Sequence, residues 1–111
     1  MRRAARIDEN QPIILKAFKE LGCSVQPLHM VGAGCPDALV GIKGHSILVE
    51  IKNPKKPKRD RQKTEAQIKW WGEWKGGPLF QVETVDDVVR IVSSLIRIEY
   101  LPPMLSHASQ D

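Results

Sequence analysis

Two short apolar runs joined by a tight turn constrain this chain more than any other feature. Ala38-Leu39-Val40-Gly41-Ile42 and Ser46-Ile47-Leu48-Val49-Glu50-Ile51 are brief and rich in β-branched residues, the composition of buried strands. Lys43-Gly44-His45 lies between them and supplies a glycine-containing turn. The pattern predicts a hairpin over about 37–52. Side chains alternate along a strand, so Glu50 and Lys52 point one way and Ile51 the other. Asp37, at the start of the first strand, is carried to the same end of the hairpin.

That grouping has a chemical meaning. Two carboxylates on adjacent strands can hold a divalent metal through oxygen ligands, and Mg²⁺ or Mn²⁺ are the hard cations that prefer such donors. A lysine beside them can orient a water or neutralise charge developing on a phosphate. The plain alternative is a charged hairpin that ends in Glu and Lys.

Pro36-Asp37 followed by Glu50-Ile51-Lys52 resembles the motif of the PD-(D/E)xK nuclease superfamily. The surrounding order sharpens the likeness. A glycine-rich loop, Met30-Val31-Gly32-Ala33-Gly34-Cys35, precedes the first acid, and an amphipathic helix precedes that loop. A basic loop and a second helix follow the lysine. Over roughly residues 8 to 92 this arrangement is similar to the VRR-NUC (virus-type replication-repair nuclease) branch, especially its small stand-alone phage and bacterial members. The resemblance implies an α/β fold with a mixed central sheet flanked by helices, a restriction-endonuclease-like αβββαβ core. It implies Asp37, Glu50 and the main-chain carbonyl of Ile51 as ligands of Mg²⁺ or Mn²⁺, and Lys52 as the catalytic lysine. It further implies a structure-selective endonuclease acting on branched DNA such as four-way junctions. Because one small domain carries one site, paired incision implies a C2 homodimer.

Length and charge agree with that class without selecting it. At 111 residues the chain is one domain, expected over 1–101 with a disordered tail at 102–111. A formal charge of +4 suits a polyanionic partner. No apolar run approaches the roughly 18 residues a membrane span needs, and the basic segment Met1–Arg6 lacks the apolar stretch of a secretory signal. Cys23 and Cys35 show no metal-ligand spacing and read as reduced thiols of a cytoplasmic protein. No organic cofactor or membrane association is expected.

Around the hairpin, Ile14, Ala17, Phe18 and Leu21 form a helical stripe that predicts a helix over 8–21, stopped by Gly22. Residues 23–28 predict a strand, with Pro27 marking an edge or an end. A loop is expected at 53–63, a helix from Thr64 to about Lys75, a strand at 79–82, and a last helix capped by Thr84. That helix bears Val85, Val88, Val89, Val92 and Leu95 or Ile96, more apolar surface than one narrow stripe requires. It and the Ile96, Ile98, Leu101 stretch are the candidate dimer interface.

Several residues admit two readings. Asp8-x-x-Gln11 is a capping-box pattern, and the resemblance also makes Gln11, and less so Asp8 or Glu9, a first-helix residue reaching the metal site. A neutral Gln11 where many relatives carry a carboxylate would weaken the metal site. Thr64-x-x-Gln67 is likewise a capping box, and relatives place a glutamine there facing the lysine or the DNA. The segment from Lys52 to Lys63 holds seven basic residues and one acidic. Such runs are usually solvated, but beside the motif Lys55, Lys56, Lys58, Arg59, Arg61 and Lys63 are candidate phosphate contacts. They offer no base-reading geometry, so structure rather than sequence would be recognised. Trp71 with Ile68 is expected to face the sheet and Trp70 with Trp74 to pair at i, i+4. Core packing is the default for these rings; an exposed one can stack on an unpaired base or anchor a dimer. His45 reads as a turn residue, His29 flanks the glycine loop near any bound phosphate, and His107 has no assigned role. Rival functions are a nicking or flap nuclease working with a replication-repair partner, and a non-catalytic DNA-binding module of the same fold.

Overall fold

The computed structural model describes residues 7–99, with side chains to Arg97. The expectations for Ile98 as a side chain, Leu101, His107, the 102–111 tail and the first six residues lie outside that range. Eight elements follow in chain order: α1 (Gln11–Glu20), β1 (Ser24–Pro27), β2 (Ala38–Ile42), β3 (His45–Ile51), a short 3₁₀ turn (Lys58–Arg61), α2 (Glu65–Glu73), β4 (Leu79–Val82) and α3 (Val85–Glu99). The strands form one sheet in the order β1-β2-β3-β4. The first three are antiparallel neighbours, whereas β4 runs parallel to β3 after the crossover through α2, as a parallel return requires. The result is the expected mixed α/β sheet flanked by helices.

The hairpin is tighter than a Lys43-Gly44-His45 turn. Lys43 and Gly44 both have positive φ, 50° and 83°, the signature of a two-residue type I′ connection. His45 is therefore the first residue of β3, paired with Ile42, and not a turn residue.

One face of the sheet holds the core. Ala38, Val40 and Ile42 of β2, Ile47, Val49 and Ile51 of β3, and Val82 of β4 are buried together with Ile14 and Phe18 of α1 and Val88, Val92 and Leu95 of α3. Val85 and Val89 of α3 stay exposed, so this helix does carry apolar side chains beyond its buried stripe. Two helix starts differ in mechanism. Thr64 and Gln67 complete a reciprocal capping box at α2. At α1 the expected box does not form: the N-cap is Asn10, with no side-chain capping bond, because Pro12 fits only the first turn and pushes the helix start past Asp8. Among the described residues no helix is long and apolar enough to cross a membrane.

Candidate active site

The hairpin register builds the site. Ala38 pairs with Val49, so one step further Asp37 stands opposite Glu50 at the open end of the two central strands. Neither acid is solvated in the manner of a surface carboxylate; Glu50 is 3 % exposed. Asp37 is fixed by the Ile51 amide, which donates to its Oδ2 at 2.7 Å. Glu50 Oε2 accepts from Gln67 Nε2 at 2.8 Å, while Glu50 Oε1 is buried without a partner.

Lys52, 7 % exposed, lies on the same side as Glu50, as strand alternation requires. Its Nζ is 3.5 Å from Glu50 Oε2 and donates to Gln67 Oε1 at 3.0 Å. Gln67 thus bridges the acid and the lysine while its Oε1 also accepts from Thr64 N at 2.9 Å. The capping box and the contacts with Lys52 and Glu50 are one arrangement. Its approach depends on the glycine loop. Gly34 has φ +86°, and a Cβ there would stand 2.2 Å from the Ala66 carbonyl oxygen. Only glycine lets this loop lie against the first turn of α2.

Two buried like charges with one lysine are under-compensated. Burial, then the neighbouring Asp37 carboxylate, push Glu50 up to about 8, against the pull of Lys52. Asp37 is also raised, chiefly by burial, despite the Ile51 hydrogen bond. The same field reaches Cys35, whose thiol is raised by burial and then by Glu50 and Asp37. The unpaired buried oxygen, and the excess negative charge left once Glu50 gives up its proton, suit a hard divalent cation, whose oxygen ligands are carboxylates and carbonyls. Among the described residues no group of three or more His, Cys, Asp or Glu side chains is arranged around one point, so a metal here would rely on these two carboxylates, a main-chain oxygen and water.

The other expected residues are distributed as follows. Asp8 binds Lys56 at 2.6 Å, so these two neutralise one another. Gln11 is buried, 3 % exposed, and lines a cavity on the α1 side. Glu9 is exposed. Arg61 pairs with Glu83 at 2.9 Å. Lys63 lies 4.1 Å over the Trp71 ring and donates to Gln81 Oε1 at 3.3 Å. Lys55, Lys58 and Arg59 are exposed. Lys58, Arg61 and Lys63 line a groove of about 570 Å³ with Gln81 and Glu83. Trp70 and Trp74 stack at 5.0 Å. Ile68 does not face the sheet with Trp71; it is 59 % exposed, because α2 touches the sheet through Gln67 rather than through an apolar stripe.

Two residues escaped the sequence reading. Asn10 Nδ2 donates to the main-chain oxygens of Lys52 and Glu83, both at 3.0 Å, tying α1 to the ends of β3 and β4. Asn53 is buried and accepts from Lys55 N at 3.0 Å, an Asx turn that swings the chain away after Lys52. A lone asparagine before a helix, or before Pro54, carries no signal that separates these roles from ordinary turn chemistry.

Sequence comparison with protein-family models and with curated proteins returns no match. Comparison with solved structures returns one described as a VRR_NUC domain. It has a TM-score of 0.55 and 24 % sequence identity, and the match covers 78 % of this chain and 97 % of that one. The mixed sheet, the acid pair at its open end and this superposition together give the chain the fold of a VRR_NUC domain.

Proposed function

We propose that this chain is a metal-dependent DNA endonuclease that hydrolyses phosphodiester bonds, with branched DNA as its preferred substrate. The observation that carries the reading is the buried set Asp37, Glu50, Lys52 and Gln67, in which Glu50 Oε1 has no partner. Burying two carboxylates and a lysine together is costly unless a further charge enters. Asp37, Glu50 and the Ile51 carbonyl would hold Mg²⁺ or Mn²⁺, which when bound supplies Lewis-acid polarisation of the phosphate and a more acidic water.

The chain's own groups do the rest. The Ile51 amide holds Asp37 Oδ2, leaving its other oxygen free of that bond. Gln67 keeps Lys52 Nζ within reach of Glu50. The ammonium stabilises negative charge as it develops on the phosphoryl oxygens, in surroundings where water screens it poorly. Asp8 is near enough for its charge to raise Asp37 and stands as a further carboxylate at the rim. Lys55, Lys58, Arg59, Arg61 and Lys63 contact the backbone of the substrate, and Lys56 joins them when it leaves Asp8. A C2 dimer would present two such sites to a symmetric junction.

The test is cleavage of labelled duplex, single-stranded, flap, splayed-arm and four-way-junction DNA with Mg²⁺ or Mn²⁺. Metal-dependent incision that is lost in Lys52→Ala and in EDTA, and is fastest on a branched substrate, supports the reading. Binding without incision, equal in parent and variant, favours the non-catalytic module and ends the nuclease assignment.

A further inference from the structure

The strand order places the acid pair on the two central strands, with β1 on one side and β4 on the other. The groove lined by Lys58, Arg61 and Lys63 lies on the β4 side, where Gln81 pairs with Glu50. A second cavity, of about 380 Å³, lies on the β1 side between Pro27, His29 and one side of α1 from Gln11 to Lys19. Its walls adjoin the backbone that carries the acids. Leu28, between its lining residues Pro27 and His29, donates its amide to the Asp37 carbonyl at 2.7 Å. Gln11, also in its lining, follows Asn10, which holds the Lys52 carbonyl.

The lining is chemically mixed. Leu15 and Pro27 supply apolar wall, and Lys16 and Lys19 stand at the rim. Gln11 is buried in that lining, and His29 Nδ1 is buried with no hydrogen-bond partner among the described residues. Buried polar groups ordinarily find partners, so an imidazole nitrogen left unpaired in the wall of an open cavity marks a place for a polar ligand. The volume falls in the range of about 300–1,000 Å³ that small-ligand sites occupy, room for one nucleotide and not for a duplex.

We propose that this cavity is a second nucleic-acid subsite, taking one backbone phosphate at Lys19 and His29 and the adjoining sugar and base against Gln11, Leu15 and Pro27. The assignment rests on the reading of the chain as a DNA enzyme. A strand crossing the open end of the sheet would then meet the β4-side groove, the acid pair and this cavity in turn. Lys16 is already 3.7 Å from Glu20, so Lys19 is the cation given to the phosphate.

The experiment is NMR of the full chain in EDTA, so that no cleavage is required. Inorganic phosphate, thymidine and a thymidine tetranucleotide are titrated separately. The tetranucleotide is expected to shift Gln11, Leu15 and His29, and phosphate to shift His29 more weakly. Lys19→Glu, on the exposed side of α1, should weaken tetranucleotide binding several-fold and lower the salt slope by about one phosphate contact; His29→Ala should weaken it without unfolding the chain. Thymidine acting as strongly as the tetranucleotide overturns the phosphate assignment. Shifts confined to residues 52–63, or unaltered binding by Lys19→Glu, overturn the subsite. Absence of incision in the separate cleavage test would end the nuclease reading without touching these shifts.

Discussion

The two faces of the sheet are held by different physics. On the face covered by α1 and α3, Phe18, Ile14, Val88 and the inward residues of β2 and β3 are fully buried. On the other face α2 contributes no buried residue and is attached by polar contacts: Gln67 to Glu50 and Lys52, and Lys63 against Trp71. Leu39, Ile68 and Trp74 remain exposed there. Apolar burial is non-directional and tolerates no charge, so it supplies stability. The polar attachment is directional, so it supplies geometry at the acid pair. The division predicts that substitutions separate cleanly into those that unfold the protein and those that disarm it.

The largest effect on stability belongs to the packed face. Phe18→Ala should cost about 3–5 kcal/mol through lost burial and the cavity left behind, measured by denaturant unfolding. A cost below about 1 kcal/mol would mean that this face is not the source of stability. Gly34→Ala should act on the opposite face. A Cβ at positive φ directed at the Ala66 carbonyl must displace the loop or α2, removing Gln67 from the site. DNA cleavage should fall with the melting temperature lowered far less than in Phe18→Ala; equal losses of folding would erase the distinction. Gln67→Ala, which leaves Lys52 and Glu50 unbridged, should reduce kcat by about 10–100-fold, the usual loss when a supporting contact is removed. Because the same residue caps α2, Gln67→Glu is the companion variant, keeping the cap acceptor while adding a charge beside Glu50.

A pH prediction follows from Glu50. Its carboxyl is raised from 4.5 to about 8 in the folded chain, so between those values the native state binds more protons than the unfolded one. Stability from this group is present below about 4.5 and is lost as pH rises towards about 8. Without metal, the melting temperature should therefore decline across that window, and Glu50→Gln should flatten the decline. A parent curve rising through the window would contradict the buried, under-compensated acid pair. The smallest effect is expected at Ile68→Lys, within about 0.5 kcal/mol for a surface change. A larger loss would show that α2 is packed more firmly than its exposure indicates.

The legible part of the molecule was the part set by local rules. Two short β-branched apolar runs around a glycine turn located the hairpin, and its register then put Asp37 opposite Glu50. The capping box at Thr64 and Gln67 was equally local, and so was Gly22 as a helix stop, with φ +95°. What the sequence hid depended on long-range closure. Asn10 bonds to residues 42 and 73 positions away, and no periodicity marks that. Ile68 was expected beneath α2 because an apolar residue near tryptophans suggests a core stripe, whereas a polar docking contact turned it outward. Asp8 as a cap failed because Pro12 dictates where α1 can begin. Asp8 instead meets Lys56, an ion pair that neither residue's neighbours announce.

The acid pair as a divalent-metal site is the claim on which the rest depends. Its most direct test is Mn²⁺ titration calorimetry of the full chain at pH 7, repeated in buffers of different ionisation enthalpy. With Glu50 raised to about 8, most of the metal-free protein carries that proton. Binding should release a fraction of a proton approaching one per site, and both binding and release should disappear in Glu50→Gln. Mn²⁺ binding that releases no proton, or that survives unchanged in Glu50→Gln, would contradict the account.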